Sequence, residues 1–535
     1  MSIAKHKTPS SGYFYDTGQS RMMRSQDVTI ELKRLLRQSS HYVAGLGGGL
    51  TLGFISFPIF ARAFSVADYG TIDFVQKLLL LLTATSKFGL QNSALRFYNV
   101  RDFTSNLKMA RRYYSTMFFG ITLTALGAAA VFIAGFQFTR TSLIQTSLAG
   151  VLLVGALLFL RSMQSIFWCF LRVEERTKAY SIISVALKAA TLVSVCFLLA
   201  WSGHSSPQIY FAGAVAVELP VVAMFTVSLV RRRMLSPGSF DLSFFKESLI
   251  FGAPLVFYEI AAIVLDSGDR VLVRQYLGPE ALGLYSVAYG LASHVNELLV
   301  APLGLALVPI YMKLWARDGD KSTADFLSIA LDVFLMISVG VVAAAATLSR
   351  DLLIVLASPK YIGAERLIPI IVGGLLLYAT YLFIGAGLLI HKRTAFMSKV
   401  MFLCAAVNGT LNCVLLPRIG VQAAAWATVL SYALCIVLLA RESHRVLPLK
   451  LELTAFTRYV CAAFITWVVA SLIQFPVPLV NLICKAPIVL LSYCGLLYLL
   501  DSRVRQVIAQ SFRRSEEPAG SDEVALQVEE NEVTT

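Results

Sequence analysis

Ionisable residues lie within segments that are otherwise apolar enough to cross a membrane. Between residues 249 and 312, one apolar segment carries Glu259, Asp266, Asp269, Arg270 and Arg274. At 100° per residue, these five positions fall within about 140° of one helical face. A charge in hydrocarbon costs several kcal/mol, so a charged face of this kind indicates a cavity lined by protein and water.

Basic residues in several predicted spans could bind an anionic headgroup in such a cavity. Six are candidates for this role: Lys77, Lys87, Arg161, Lys188, Arg270 and Arg274. Asp73 and Lys77 are four residues apart in one helix, a spacing that predicts an ion pair. Lys87 has no partner at helical spacing. The alternative for Lys87 and Lys188 is that their long side chains extend to a membrane interface.

Four acids are candidates for a proton-coupled step: Glu259, Asp266, Asp269 and Glu297. Asp266 and Arg270 are four residues apart and are predicted to pair. Glu259 has no basic residue three or four positions away, and burial disfavours the charged form of an unpaired carboxylate. His294 and Glu297 share a helical face, which suits a proton relay. The alternatives are a hydrogen-bonded structural acid at Glu259 and a static packing pair at His294.

The composition is that of a polytopic membrane protein. The 535 residues are 57% hydrophobic and 15% charged, with a mean hydropathy of +0.70, whereas soluble domains carry about 25% charged residues. The net charge of +14 is explained by basic residues in cytoplasmic loops, so nucleic acid is not an expected partner. The first 40 residues are polar and contain no cleavable signal sequence.

Fourteen membrane-spanning helices are predicted, which defines an all-α polytopic fold. They cover approximately residues 41–60, 70–92, 113–136, 145–168, 179–200, 208–230, 248–268, 281–311, 324–346, 366–390, 395–416, 421–440, 454–473 and 479–500. A polar turn, Leu277-Gly278-Pro279-Glu280, separates the seventh span from the eighth. The eighth span is longer than a bilayer requires and contains Pro302 and Pro309, so we expect it to tilt or kink.

The charges of the loops predict the orientation. With the N-terminus in the cytoplasm, the cytoplasmic loops hold most of the basic residues and the opposite loops hold few. This asymmetry places both termini in the cytoplasm. Residues 28–38 alternate apolar and basic positions at helical spacing, which predicts an amphipathic helix on the membrane surface. Residues 501–535 lack apolar periodicity and are predicted to be disordered.

An internal repeat divides the chain. The segment ARAFSVADYGTI after the first span resembles VRQYLGPEALGLY after the seventh. The matched residues are Arg62, Phe64, Asp68 and Gly70 in the first copy and Arg274, Tyr276, Glu280 and Gly283 in the second. The copies lie six spans apart and therefore share one orientation, which is the arrangement of parallel repeats with a substrate between them.

The repeat predicts five regions along the chain. They are a cytoplasmic segment with the amphipathic helix (1–40), an N-lobe of spans 1–6 (41–233), a C-lobe of spans 7–12 (246–440), two extra helices (453–500) and the tail (501–535). The two six-helix lobes would be related by a pseudo-two-fold axis along the membrane normal.

No motif indicates a cofactor or a metal. Gly45, Gly49 and Gly53 form a double GxxxG in the first span, and since no strand precedes them we predict close helix packing. The eight cysteines all lie in apolar segments without CxxC spacing. No Walker motif is present, so ATP is not an evident energy source.

The order of several longer motifs resembles one transporter family. FGAPL, LDSGDRVLVRQYLGPEALGLYSVAYGLA and LVPIYMKLWARDGD are followed by PKYIGAERLIPII and NGTLNCVLLPRIGVQAAAWATVLSYA, and FARAFSVADYGTIDFVQ stands near the start. These segments resemble the O-antigen and exopolysaccharide repeat-unit flippases of the MOP superfamily, which also contains the MATE exporters and the lipid II flippases. The resemblance spans roughly residues 30 to 445.

The resemblance implies a flippase that carries polyprenyl-pyrophosphate-linked oligosaccharides across the cytoplasmic (inner) membrane by alternating access. It implies the lipid-linked oligosaccharide and membrane lipids as partners, with a polysaccharide polymerase and glycosyltransferases as associated proteins. A MATE-like cation or drug antiporter is the alternative, but it would need acids to dominate the cavity. An enzyme would need a large extramembrane loop with catalytic residues, and since the connections are short we expect no catalytic residues.

Overall fold

The computed structural model describes residues 45–98, 106–139 and 147–506. The predictions for residues 28–38 and for the tail beyond residue 506 lie outside the described residues. The start of the tail predicted to be disordered is instead helical over residues 502–506, where Arg503 pairs with Glu452. The described part of the chain consists of helices and short connections without a β-strand. The predicted all-α fold class is therefore confirmed.

Seventeen α-helices follow one another in the described part of residues 45–500, and residues 502–506 are helical as well. They are α1 Gly45–Ala63, α2 Val66–Ser86, α3 Leu90–Phe97, α4 Leu107–Thr139, α5 Leu148–Val173, α6 Thr177–Ser202, α7 Pro207–Arg231, α8 Leu242–Ser267, α9 Asp269–Val295, α10 Ala301–Leu352, α11 Leu367–Ala379, α12 Tyr381–Ile384, α13 Ala386–Ile390, α14 Thr394–Ile419, α15 Gln422–Ser443, α16 Leu453–Leu472 and α17 Pro478–Leu500. Eleven described segments are long and apolar enough to cross a membrane, and one of them runs from Leu242 to Ala357 through several helices. The count of fourteen spans stays a prediction.

Two glycines interrupt this long segment. Gly278 in α9 has a φ angle of 84° and Gly319 in α10 has a φ angle of 77°, whereas the surrounding residues are helical. A residue with a Cβ atom rarely adopts such angles, so glycine is required at both breaks. Gly278 lies in the turn that the sequence predicted between the seventh and eighth spans.

The helix that follows Gly278 is interrupted a second time, by a π-helical turn over Asn296–Val300. Pro302 lies just beyond this turn and has no N–H to donate to the carbonyl of the residue four positions earlier. Pro309 lies inside α10, where the helix continues. The interruption expected in this overlong span therefore takes the form of a π turn next to Pro302.

The largest hydrophobic core joins the two halves of the chain, which we call the N-terminal half (45–231) and the C-terminal half (242–443). It contains Phe57 and Phe74 from the first half together with Tyr285 and Phe383 from the second. The last two helices, α16 and α17, pack against α10 through a smaller cluster. The hydroxyl of Tyr493 in α17 donates a hydrogen bond to the carbonyl oxygen of Met336, at 2.7 Å.

Two pairs of glycines bring the backbones of the halves together. A Cβ atom placed on Gly70 of α2 would lie 2.5 Å from the backbone nitrogen of Gly283 in α9. A Cβ atom on Gly89, between α2 and α3, would lie 2.3 Å from the carbonyl oxygen of Gly252 in α8. Both distances are shorter than real Cβ contacts, so a larger residue would push the helices apart. Gly70 and Gly283 are matched positions of the predicted repeat, whose two copies therefore meet.

The glycines of α1 pack against α6. A Cβ atom on Gly45 would lie 2.7 Å from the Cβ of Ser181, and one on Gly49 would lie 3.1 Å from the Nζ of Lys188. Gly53 is less crowded, since its nearest neighbour is the ring of His294 at 3.7 Å. The GxxxG pattern thus marks a close helix contact, as predicted, over its first two glycines.

Candidate functional site

Arg270 lies at the centre of a group of charges between α2 and α9. It is 2% exposed, and its Nε lies 3.1 Å from Oδ2 of Asp73 in α2. Its Nη1 lies 3.4 Å from Oδ1 of Asp269, which also accepts a hydrogen bond from the hydroxyl of Tyr285. The hydroxyl of Ser286 donates to Asp73 at 2.7 Å. The buried guanidinium is therefore neutralised by one acid from each half of the chain.

The two ion pairs predicted within single helices are wrong. Within Asp266, Arg270 contacts the backbone carbonyl, at 3.1 Å, and not the carboxylate. The charge of Arg270 is instead paired with Asp73 and Asp269. Lys77 lies 3.9 Å from the carboxylate of Asp266, so it too faces the other half rather than Asp73. The reason is that α2 and α9 cross closely at Gly70 and Gly283, where partners on the facing helix compete with those one turn away.

Arg274 completes this group. Its Nη1 donates a hydrogen bond to the hydroxyl of Thr71 at 3.0 Å, and its guanidinium lies 5.1 Å from the centre of the Phe74 ring. We call the whole group the interface cluster: Asp73, Lys77, Asp266, Asp269, Arg270 and Arg274. It contains as many acids as cations, so it carries no surplus charge that would attract an anion.

A second ion pair joins the halves further along α2. The Nζ of Lys87 lies 3.0 Å from Oε1 of Glu259, and the side-chain amide of Gln91 donates to Oε2 at 3.2 Å. The prediction that Glu259 is an unpaired carboxylate is therefore wrong, and the alternative of a hydrogen-bonded structural acid fits. The two partners are 172 residues apart in sequence, so helical spacing could not have paired them.

The N-terminal half contains a cavity of about 290 Å³ whose wall is partly apolar and partly polar and charged, and we call it the polar chamber for its charged groups. Its polar lining consists of Ser56, Arg161, Lys188, Thr191, Tyr210 and Glu218. The Nε of Arg161 lies 3.2 Å from Oε1 of Glu218, and the amide of Gln164 donates to the other oxygen at 3.2 Å. Two of the predicted cavity cations and one acid therefore face the same space.

Lys188 is the cation of this chamber that lacks an acidic partner. Within the described ranges, no carboxylate oxygen lies within 4.0 Å of its Nζ. It stands near the middle of α6, about 17 Å from the first residue at 1.5 Å per residue. An uncompensated ammonium at that depth costs several kcal/mol unless water or an anion solvates it. The chamber therefore has one positive charge in excess.

The four acids proposed for proton coupling have different surroundings. Glu259 and Asp269 are paired, as described above. Asp266 is half-exposed and lines a cavity of about 540 Å³ together with Tyr378 and Tyr432. Glu297 lies 3.5 Å from Nδ1 of His294, whose ring stacks on Phe54 at 4.0 Å. Asp266 is thus the acid whose surroundings best suit an exchange of protons with water in a cavity.

Sequence reasoning missed the amides that connect these groups. Gln76 accepts a hydrogen bond from Arg161, and its own amide donates to the hydroxyl of Tyr210 at 2.7 Å. It lies on α2 between Asp73 and Lys77, so it links the polar chamber to the helix that carries the interface cluster. A glutamine between two charged residues of an apolar span was the available signal.

Comparison with known families decides the identity of the chain. A family model described as polysaccharide biosynthesis protein matches residues 37–315, which is more than half of the chain. The protein belongs to the polysaccharide biosynthesis protein family. The resemblance seen in the sequence is thereby confirmed at the level of the family.

Similar proteins agree with this family and its membrane-embedded fold. An uncharacterized membrane protein of Methanocaldococcus jannaschii is 22% identical over 425 residues, which cover 73% of this chain and 81% of the relative. The structure of the lipid II flippase MurJ in an inward closed conformation superposes with a TM-score of 0.69 at 12% identity, covering 88% of this chain and 100% of that one. An inward-facing multidrug resistance MATE family transporter of the MOP superfamily gives 0.58 at 10% identity, covering 74% and 93%.

These likenesses establish the fold. This member of the polysaccharide biosynthesis protein family is a multi-pass membrane protein whose helices are arranged as in MurJ and the MATE transporters. Identities of 12% and 10% carry no residue roles from those proteins to this one. The chemistry of the cavities must therefore be argued from the residues of this chain.

Proposed function

We propose that the protein is a flippase that carries polyprenyl-pyrophosphate-linked oligosaccharide repeat units across the cytoplasmic membrane, for surface or extracellular polysaccharide. The observation that carries the proposal is the polar chamber, in which Lys188 has no acidic partner. A site with surplus positive charge suits a diphosphate. Membership of the polysaccharide biosynthesis protein family supports a glycan carrier as the molecule that bears this diphosphate.

The chamber offers a diphosphate two kinds of contact. The ammonium of Lys188 is free to form a charge-assisted hydrogen bond, and Arg161 adds a guanidinium whose charge it shares with Glu218. Ser56, Thr191 and Tyr210 line the same space. The hydroxyls of Ser56 and Thr191 already donate to the carbonyl oxygens of Gly53 and Leu187, so they would accept hydrogen bonds from sugar hydroxyls next to the phosphates. The lipid tail would remain in an apolar environment.

Alternating access would occur by rocking of the two halves, which we propose to be six-helix lobes related by the internal repeat. In this scheme the interface cluster and the Lys87–Glu259 pair join the halves and rearrange during transport. Asp266 is our candidate for a proton exchange that supplies energy, because its carboxylate is half-exposed to a cavity. Both termini would lie in the cytoplasm. Glycosyltransferases and a polysaccharide polymerase would complete the pathway, acting on either side of the membrane.

The second candidate function is a MATE-like antiporter for cations or drugs. The cavity next to Asp266 favours it, since tyrosine rings and one carboxylate suit an organic cation. The polar chamber favours the flippase, because its surplus positive charge would repel a cation. The two functions therefore predict opposite signs of charge for the transported group.

The deciding experiment deletes the gene in its own organism and restores it as wild type or as a variant. We expect the deletion to accumulate lipid-linked oligosaccharide on the cytoplasmic leaflet, with unchanged susceptibility to cationic drugs. Lys188→Gln should lower export about ten-fold or more, since a hydrogen bond to a charged group contributes about 1.5–3 kcal/mol. Lys178→Gln, at the exposed start of the same helix, is the matched control and should restore export. Normal glycan export together with drug hypersensitivity in the deletion strain would instead support the antiporter.

A further inference from the structure

Lys188 also borders a second and larger cavity of about 830 Å³ between α1, α6 and α10. We call it the apolar slot, because most of its wall is apolar: Gly45, Leu46, Gly49, Val185, Pro302, Leu305 and Ala306. Tyr180, Ser181 and Ser184 of α6 are the polar, uncharged residues in its lining. Gly45 and Gly49 border the slot at the point where α1 packs closely against α6. The slot is bordered by α1 and α6 of the N-terminal half and by α10 of the C-terminal half, so it lies between the halves.

The ammonium of Lys188 marks the boundary between the two cavities. Lys188 lines the apolar slot on one side and the polar chamber, with Arg161 and Tyr210, on the other. Its Nζ lies 3.1 Å from where a Cβ of Gly49 would be, so the charge sits directly beside the slot. Among the residues that the structure describes, no acid lines the slot and Lys188 is the only charged residue in its wall. From the slot to the chamber, the surface therefore changes from mainly apolar, past the ammonium of Lys188, to a mixed wall that carries charged groups and hydroxyls.

We propose that the apolar slot binds the isoprenoid units next to the diphosphate of a polyprenyl carrier, with Lys188 contacting the phosphates and the polar chamber receiving the first sugar. This inference rests on the proposed flippase function and assigns the parts of its substrate to particular cavities. Charge complementarity selects this occupant, because the same three chemical zones follow one another along a polyprenyl diphosphate sugar. Pockets that enclose small-molecule ligands measure about 300–1,000 Å³, so the slot is large enough for several isoprenoid units.

The test measures binding to the purified full chain in nanodiscs of zwitterionic phospholipid, with three probes. Farnesyl diphosphate presents both tail and charge, farnesol presents the tail alone, and inorganic pyrophosphate presents the charge alone. We expect the wild type to bind farnesyl diphosphate at least ten-fold more tightly than either other probe. Lys188→Gln should weaken the binding of farnesyl diphosphate about ten- to hundred-fold and leave farnesol unchanged, since only the charge contact is lost.

A second variant tests the slot itself. Ala306 is exposed to the slot, so Ala306→Phe should fill the space without disturbing the core. It should weaken the binding of farnesyl diphosphate and farnesol and leave pyrophosphate unchanged. Ala190→Phe, an exposed change on α6 away from the residues that line the slot, and Lys178→Gln are the matched controls and should bind all three probes as the wild type does.

Three outcomes would overturn the inference. Wild-type affinity in both Lys188→Gln and Ala306→Phe would place the isoprenoid elsewhere. Displacement of farnesyl diphosphate by an equal amount of phosphatidylglycerol would make an ordinary anionic phospholipid the occupant. Failure of the wild type to bind farnesyl diphosphate would show that the slot is not a binding site for a polyprenyl diphosphate. The proposed function would survive each outcome if the deletion strain still accumulates lipid-linked oligosaccharide, and it would fail separately if that strain exports normally.

Discussion

Arg270 and Asp73 form an ion pair that joins the two halves of the protein, with the guanidinium Nε 3.1 Å from the carboxylate Oδ2. Arg270 is almost completely buried, and its other side faces Asp269. Removing the guanidinium would leave two acids without their cation near the centre of the molecule. We therefore expect the pair to be required for stability, apart from any role in transport.

We expect Arg270→Leu to lower the free energy of unfolding by about 3–5 kcal/mol, because it leaves the buried Asp269 and the partly exposed Asp73 without their cation. Thermal unfolding of the purified protein measures the loss. Arg317→Leu is the control, since Arg317 is exposed and bonded to its neighbour Asp318. Asp73→Asn should destabilise more than Asp266→Asn, whose carboxylate is half-exposed. A larger loss of stability in Asp266→Asn than in Asp73→Asn would instead support the pair between Asp266 and Arg270 that the sequence predicted.

Lys87 and Glu259 are expected to be energetically coupled. Lys87→Met should destabilise the protein because it leaves Glu259 with only the amide of Gln91 as a partner. The double variant with Glu259→Gln should be more stable than the sum of the single changes predicts, by about 0.5–3 kcal/mol. Unfolding midpoints of the four proteins give this coupling energy. Strict additivity would show that the two side chains do not interact.

The contact between Gly70 and Gly283 predicts a steric effect. A Cβ atom on Gly283 would lie 2.0 Å from the carbonyl oxygen of Val66, so Gly283→Ala must move α2 away from α9. We expect a loss of about 1–3 kcal/mol, as for other overpacked sites, together with reduced export. Gly409→Ala is the matched control, since no atom lies within 4 Å of its Cβ position. Equal unfolding temperatures for the two variants would mean that the helices do not cross this closely.

These contacts show where sequence reasoning succeeds and where it ends. Periodicity placed the helices, and the polar turn around Gly278 marked the break within α9 because only glycine tolerates its φ angle. The repeat identified Gly70 and Gly283 as equivalent positions, although it did not show that they touch. Motif order identified the family without any contact. All of these features are local in the chain or depend on its order alone.

The partners of the charged residues were beyond that reasoning. Arg270 is paired with a residue 197 positions away and Lys87 with one 172 positions away, so no helical spacing relates them. Lys188 was one candidate cation among six. Its importance emerged only when carboxylates were found near Lys77, Lys87, Arg161 and Arg270, and no described carboxylate was found near Lys188. Whether a charge within a membrane-spanning helix is available to a ligand depends on tertiary contacts rather than on its own segment.

The orientation of the protein is tested by chemical labelling in intact cells. In a variant without native cysteines, Ser205→Cys should react with a membrane-impermeant maleimide added outside. Ser205 is exposed in the connection between α6 and α7, on the side predicted to face away from the cytoplasm. Arg445→Cys, exposed after α15, should react only after the cells are opened. The opposite pattern would reverse the predicted topology.

The most direct test of the flippase proposal is a translocation assay in liposomes that contain only the purified protein. A polyprenyl-diphosphate oligosaccharide with a fluorescent sugar is placed in both leaflets, and a membrane-impermeant reductant is added outside. We predict that wild-type liposomes lose nearly all fluorescence, because molecules from the inner leaflet reach the reductant. Lys188→Gln should slow the loss of the inner-leaflet fluorescence about ten-fold, since the loss of one charge contact costs about 1.4 kcal/mol or more. Fluorescence that stops at the outer-leaflet fraction in wild-type liposomes, as in liposomes without protein, would contradict the proposal.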